Sequence, residues 1–301
     1  MKKYKLLPIL GLLIFAGTGA QSDCNKSKGS NKTQANKMDV SNNKTPEKTA
    51  PTPAKSDIKT LAESSNGKFT KPFIFVARTP DTYAKMQKMA ENLPSASEID
   101  FNTSAVVAAF AGTKNTGGFS VAFERSGDKI SVKVVSPPPD AMVTEALTMP
   151  FKIALIPLEE QESLTLDLSE NWTNAAQNYQ ITSGEFSFSG GIAGREFKFE
   201  PQGKIQLFTA DDFVTFIFNL SGKGEASERK LNEIASGNLS GGKVDIARLE
   251  GGNFIDQPHP PLVISGTMSQ TKLSLTFEPG KRDYVVSDGF EGRGKLEAER
   301  K

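Results

Sequence analysis

The chain has one cysteine, Cys24, one histidine, His259, and one tryptophan, Trp172, among 301 residues. A single thiol excludes an intrachain disulfide, and one thiol with one imidazole excludes a Cys/His zinc site. The same shortage leaves one imidazole for any nucleophile and base pair. No catalytic residue, no metal ligand set and no cofactor is therefore assigned from the sequence. Charge of one sign is also scarce, since 36 Lys and Arg against 35 Asp and Glu leave a net charge of +1. EF-hand, phosphate-loop and dinucleotide patterns are missing, because the glycine pairs fall between strand-like runs and not ahead of a helix.

What is present begins with a leader. Lys2, Lys3 and Lys5 precede the apolar run Leu6 to Ala16, the length of a signal-peptide core and short of the ~20 residues that span a bilayer. Residues 1–20 are read as a signal peptide, with Thr18-Gly19-Ala20 offering small residues for cleavage before Gln21. Cys24 opens an alternative, lipid attachment and membrane anchoring, although Asp23 directly before it departs from the lipobox pattern. Either way the expected location is extracytoplasmic: cell surface, periplasm or secreted. Residues 21–66 read as a disordered polar tether: from Asn25 to Asn66 there is no aromatic residue, and eight Lys face Asp39, Glu47, Asp57 and Glu63. The basic charge thus sits in the tether, which leaves the remainder mildly acidic and argues against nucleic acid as a partner.

Two folded blocks follow. Over 69–170 the pattern predicts a small α+β domain, one helix on an antiparallel sheet. Phe73 to Ala77 reads as a strand. Thr79-Pro80-Asp81 reads as a helix start, with Thr79 as N-cap, and Tyr83, Met86, Met89, Ala90 and Leu93 extend it for about three turns until Pro94. Ala105 to Ala111 suits a central strand, while Phe119, Val121 and Phe123, then Ile130, Val132 and Val134, alternate. Lys114 to Gly118 reads as a glycine-rich hairpin turn between the first two of these runs. Pro137 to Asp140 breaks the chain, Phe151, Ile153 and Leu155 form a further strand, and Leu164 to Leu168 adds an edge. Over 183–298 short alternating runs, among them Ile205 and Leu207, Val214 to Phe218 and Leu273 to Phe277, predict an all-β antiparallel sandwich or barrel. Ala226 to Ala235 is the one stretch there that could be helical. Eleven of the twenty Phe lie in this block and are read as core.

Three motifs carry a resemblance. "FIFVARTPDTYAKM" (Phe73 to Met86), "FNTSAVVAAFAGTKNTGGFSVAFE" (Phe101 to Glu124) and "ALTMPFKIALIP" (Ala146 to Pro157) resemble the PrcB C-terminal domain family, named after a subunit of a bacterial surface protease complex. Asn115 and Phe119 stand where the family more often has Pro and Tyr. The resemblance covers about 73–157 and implies an exported, often lipid-anchored protein with no catalytic residues in this domain; the peptidase activity of the complex belongs to another subunit. A fainter likeness is to the Thr-Gly-aromatic loop of chagasin-type peptidase inhibitors.

Thr116, Gly117, Gly118 and Phe119 are the candidate binding residues, because a turn held between buried strands presents side chains with little entropy left to lose. The opposing reading is that the glycines close a tight hairpin and Phe119 begins a core strand. The function expected is a non-catalytic binding or assembly subunit whose partner is another exported protein, plausibly a peptidase. Two alternatives stay open: a small-ligand or glycan-binding β protein, and a hydrolase using carboxylates among Glu159, Glu160, Asp211, Asp212, Asp245 and Asp256.

Overall fold

The computed structural model describes residues 58–127, 129–158, 164–190, 195–223, 228–249, 262–280 and 291–301. The leader, tether residues 21–57, Cys24 and His259 lie outside the described residues, as do Glu159, Glu160 and Asp256. The end of the expected disordered tether is folded instead: Lys59–Ser64 form a strand paired with Phe151 to Leu155, whose open edge supplies the backbone partners that the polar composition did not reveal. The strands in chain order are β1 (Lys59–Ser64), β2 (Pro72–Ala77), β3 (Ser104–Ala111), β4 (Ser120–Ser126), β5 (Lys129–Val135), β6 (Phe151–Pro157) and β7 (Thr165–Leu168) in the first block. Helix α1 (Pro80–Met86) follows β2, and a single turn, α2 (Glu170–Thr173), follows β7. The second block holds β8 (Gln177–Gly190), β9 (Arg195–Phe199), β10 (Gln202–Ala210), β11 (Phe213–Lys223), β12 (Glu228–Ser240), β13 (Lys243–Leu249), β14 (Leu262–Met268), β15 (Lys272–Pro279) and β16 (Glu291–Arg300).

The first block is two small sheets and not one. Strands β1, β6, β3 and β2 form an antiparallel sheet in that order, while β4, β5 and β7 form a second, in which β7 runs parallel to β5. The expected hairpin between β3 and β4 does not form, because both edges of β3 are taken by β2 and β6. The apolar run Ala105 to Ala111 of β3 follows from this central place: Ser104 to Ala111 are buried throughout. Helix α1 begins as the sequence predicts, with the Thr79 hydroxyl accepting from the Thr82 amide at 3.1 Å. It is shorter than predicted. After Gln87 the bonds tighten to three-residue spacing, Lys88 to Lys85 and Met89 to Met86, and Asn92 turns left-handed at φ 59°. The Tyr83 hydroxyl and the Gln87 amide both donate to the Pro94 carbonyl, at 3.1 and 2.9 Å.

The second block closes into a barrel. Strands β10 through β16 pair in chain order, β16 pairs with β8, and β8 pairs back with β10, so eight antiparallel strands leave no open edge. β9 is a hairpin flap on the far half of β8. The expected sandwich-or-barrel resolves as a barrel, and of the one stretch that could be helical, residues 228–235 lie in the strand β12, while 226 and 227 are outside the described residues. Its interior is filled by side chains: Phe186 and Phe277 lie 4.8 Å apart, Phe216 stacks on Phe218 at 5.6 Å, and Ile205, Ile264, Leu273 and Leu296 are fully buried among them. The outward positions Lys204, Asn219, Lys243, Asp245, Lys295 and Glu297 are exposed, the inverse of a barrel whose outer face meets lipid. Among the described residues no helix is long and apolar enough to cross a membrane.

One side of the barrel is different. On β10, β11 and β12 the outward positions Phe208, Phe213, Thr215, Ile234 and Ser236 are buried too, and the apolar ones join the core of the first block. Phe213 packs edge-on against Phe69 at 6.4 Å and Phe75 at 5.8 Å. Lys68 lies over Phe69 and Phe213 and pairs with Asp211 at 3.6 Å. The free edge of β2 is satisfied here, since the Val76 amide donates to the Ser236 hydroxyl at 2.9 Å, itself 2.7 Å from the Thr215 hydroxyl. The described residues thus belong to one packed unit, Pro53–Lys301.

Candidate functional site

The segment between β3 and β4 has to travel from one sheet to the other, and its route is set by straps. The Lys114 amide and carbonyl both bond to Thr148, at 2.7 and 3.0 Å, and the Thr148 hydroxyl donates to the Thr116 carbonyl at 2.8 Å. The Gly117 amide donates to the Thr144 carbonyl at 2.9 Å. Thr116 through Phe119 is therefore a crossover laid against residues 144–148 and not a hairpin.

Both glycines are required by contact. A Cβ on Gly117 would lie 2.4 Å from the Thr144 hydroxyl oxygen. One on Gly118, which sits at φ +82°, would lie 2.9 Å from Pro137. Gly117 is buried and Gly118 exposed; Thr116 and Phe119 are half-buried. Phe119 is therefore not a core residue of β4, which begins at Ser120, and the first buried position of that strand is Val121. The Phe119 ring instead faces the Lys114 ammonium at 5.9 Å.

The single turn α2 holds the other side of this segment. Trp172 is fully buried, and its indole N–H donates to the Phe110 carbonyl at 3.0 Å. Asn171 spans the end of β3: its amide donates to the Ala111 carbonyl at 3.2 Å, and its carbonyl oxygen accepts from Lys114 Nζ at 2.6 Å. Partial burial holds the Lys114 ammonium below the usual lysine range. Neither Asn171 nor Thr144 could be read from the sequence as part of this site. They lie 57 and 27 residues from Lys114 and Gly117, and only the fold brings them near.

A family match falls on this architecture. Residues 105–157 match the PrcB C-terminal family. No curated protein and no solved structure matches the chain. The match to PrcB C-terminal runs from the second residue of β3 to the last residue of β6, so it takes in the crossover, the β4–β5 hairpin and the long β5–β6 loop. The motif Phe73 to Met86, which forms β2 and α1, lies outside it. The β barrel lies outside it as well.

Of the carboxylates considered for hydrolysis, three lie among the described residues. Asp211 and Asp212 occupy the exposed turn between β10 and β11, where Asp211 is left-handed at φ 49°, and Asp245 is exposed on β13. Among the described residues, no group of three or more His, Cys, Asp and Glu side chains is placed to hold a metal ion.

Proposed function

We propose that this protein is an exported, non-catalytic binding or assembly subunit that associates with an extracytoplasmic peptidase through the strapped crossover Thr116 to Phe119. The leader would direct it out of the cytoplasm, and Cys24 is the point at which a lipid could anchor it. The observation that carries the reading is the coincidence of the PrcB C-terminal match with a segment strapped along one side by Thr144 and Thr148 and held at its start, at Lys114, by Asn171. A braced segment loses little conformational entropy on binding, and the glycines let it lie close enough to Thr144 and Pro137 to be braced.

The test is co-purification of the full chain from envelope extract, comparing the wild type with Phe119→Ala and Thr116→Ala. Glycine variants are unsuitable, because any side chain at Gly117 or Gly118 collides with Thr144 or Pro137. Recovery of a peptidase that is reduced about tenfold by Phe119→Ala, with an unchanged thermal midpoint, supports the reading. Equal recovery by both variants removes the crossover from consideration, and absence of any peptidase removes the partner. Mass spectrometry of the mature chain decides the anchor, since a diacylglyceryl adduct on Cys24 and an unmodified amino terminus at Gln21 exclude one another.

A further inference from the structure

Among the described residues the exposed large hydrophobic side chains are Val135 at 46%, Met142 at 104% and Leu147 at 71%. All three fall in one stretch of the chain, from the last residue of β5 to the approach of β6, inside the family-matched segment. Exposed apolar residues scattered singly need no explanation, whereas a concentration of them marks a contact surface. This stretch is also held in place. Pro137-Pro138-Pro139 restrict its first half, Thr144 and Thr148 bind the crossover in its second half, and Val143 lies against Gly118. Met142 stands fully exposed between these two fixed parts of the loop.

Charge narrows the partner. Between Ser136 and Leu147 the charged residues are Asp140 and Glu145, both exposed, with no Lys or Arg among them. We infer that this loop is a preformed plug: Met142 and Leu147 enter an apolar pocket on another exported protein, and Lys or Arg on the rim of that pocket face Asp140 and Glu145. Apolar anchors at the centre and charges at the rim are how small protein contacts obtain affinity and orientation. An anionic lipid surface would repel the two carboxylates, and so would the same loop of a second copy. The inference rests on the reading that the molecule works by contact with an exported partner, and it adds the anchors and the chemistry of the pocket.

The experiment places a photo-crosslinking residue at position 142 of the full chain in the producing cells, with the same probe at Lys272 on the barrel as control. The expected adduct at 142 maps to an apolar pocket of another polypeptide with Lys or Arg at its rim, and the control gives none there. With that polypeptide purified, Met142→Ala and Leu147→Ala together should weaken binding about 10- to 100-fold. Asp140→Asn with Glu145→Asn should weaken it about threefold to tenfold and flatten its dependence on salt. Because all four side chains are exposed, the thermal midpoint should not move. An adduct on lipid, on a second copy, on an acidic or polar surface, or nowhere overturns the inference, as does affinity indifferent to Met142 and Leu147. A peptidase bound with undiminished affinity by the Met142 and Leu147 variant sinks the plug and leaves the proposed function standing. A basic-rimmed pocket on a protein that is no peptidase does the reverse.

Discussion

The barrel and the block that precedes it solve the same problem in opposite ways. In the barrel every described strand has two neighbours or closes on the flap, the interior is filled by Phe and aliphatic side chains, and the outer wall away from the first block is charged. The first block has open sheets of four and three strands, and it covers the free edge of β2 by leaning on the barrel through Val76, Ser236 and Phe213. Its exposed apolar side chains gather on the β5–β6 loop. A closed meander has no unpaired backbone and few apolar groups to present, so recognition is expected of the open block, and the barrel acts as the wall that steadies it.

That division can be tested at graded strength. The largest effects should come from removing a fully buried ring in either region. Trp172→Ala and Phe216→Ala should each cost about 3 to 5 kcal/mol, read by urea unfolding, the first also losing the bond to the Phe110 carbonyl. Trp172 fluorescence reports the crossover and β3, not the barrel interior, so its signal belongs to the open block. Phe213→Ala should cost about 3 kcal/mol and lower a single shared transition; two separated melts, with the barrel unmoved, would show that the blocks fold independently. Ser236→Ala should cost about 1 to 2 kcal/mol, because the Val76 amide is left buried without its acceptor. A smaller, pH-dependent loss is expected above about pH 10 in both regions. Burial raises Tyr83, helped by the nearby Glu98 charge, and burial raises Tyr179 against the pull of Arg300. The neutral hydroxyls are favoured in the folded state, so their contribution is intact below the ordinary tyrosine value and is lost as pH rises through the raised one. Tyr83→Phe and Tyr179→Phe should each flatten that decline. Smallest of all, Lys272→Ala removes an exposed pair with Glu299 at 3.7 Å and should change stability by less than about 0.5 kcal/mol.

Strand positions were legible wherever burial repeats every second residue or runs unbroken. Ala105 to Ala111, Phe151 to Leu155, Ile205 to Leu207 and Val214 to Phe218 all form strands, and Thr79 caps α1. The partners of those strands were not legible. A glycine-rich turn between two apolar runs has the composition of a hairpin whether or not the first run has a free edge, and only the pairing of β3 with both β2 and β6 denies it one. Residues 228–235, within the stretch that could be helical, form a strand for a related reason: Glu, Arg, Lys and Leu favour a helix in isolation, but pairing of Glu228 to Asn238 along β11 overrides that preference. The candidate site was half visible. Gly117, Gly118 and Phe119 stood out as a motif, while the residues that brace them, Thr144, Thr148 and Asn171, carry no signal of their own.

The order of side chains along the chain determined by itself which residues turn inward, where α1 starts and that catalysis has few reagents here, because these depend on residue type and near-neighbour spacing. Tertiary structure alone decided that eight strands close on themselves, that Phe213 faces the other block and that Met142 and Leu147 stand in water beside the crossover. Those outcomes depend on which edges remain unpaired once distant strands have met, a property of contacts between residues far apart in sequence.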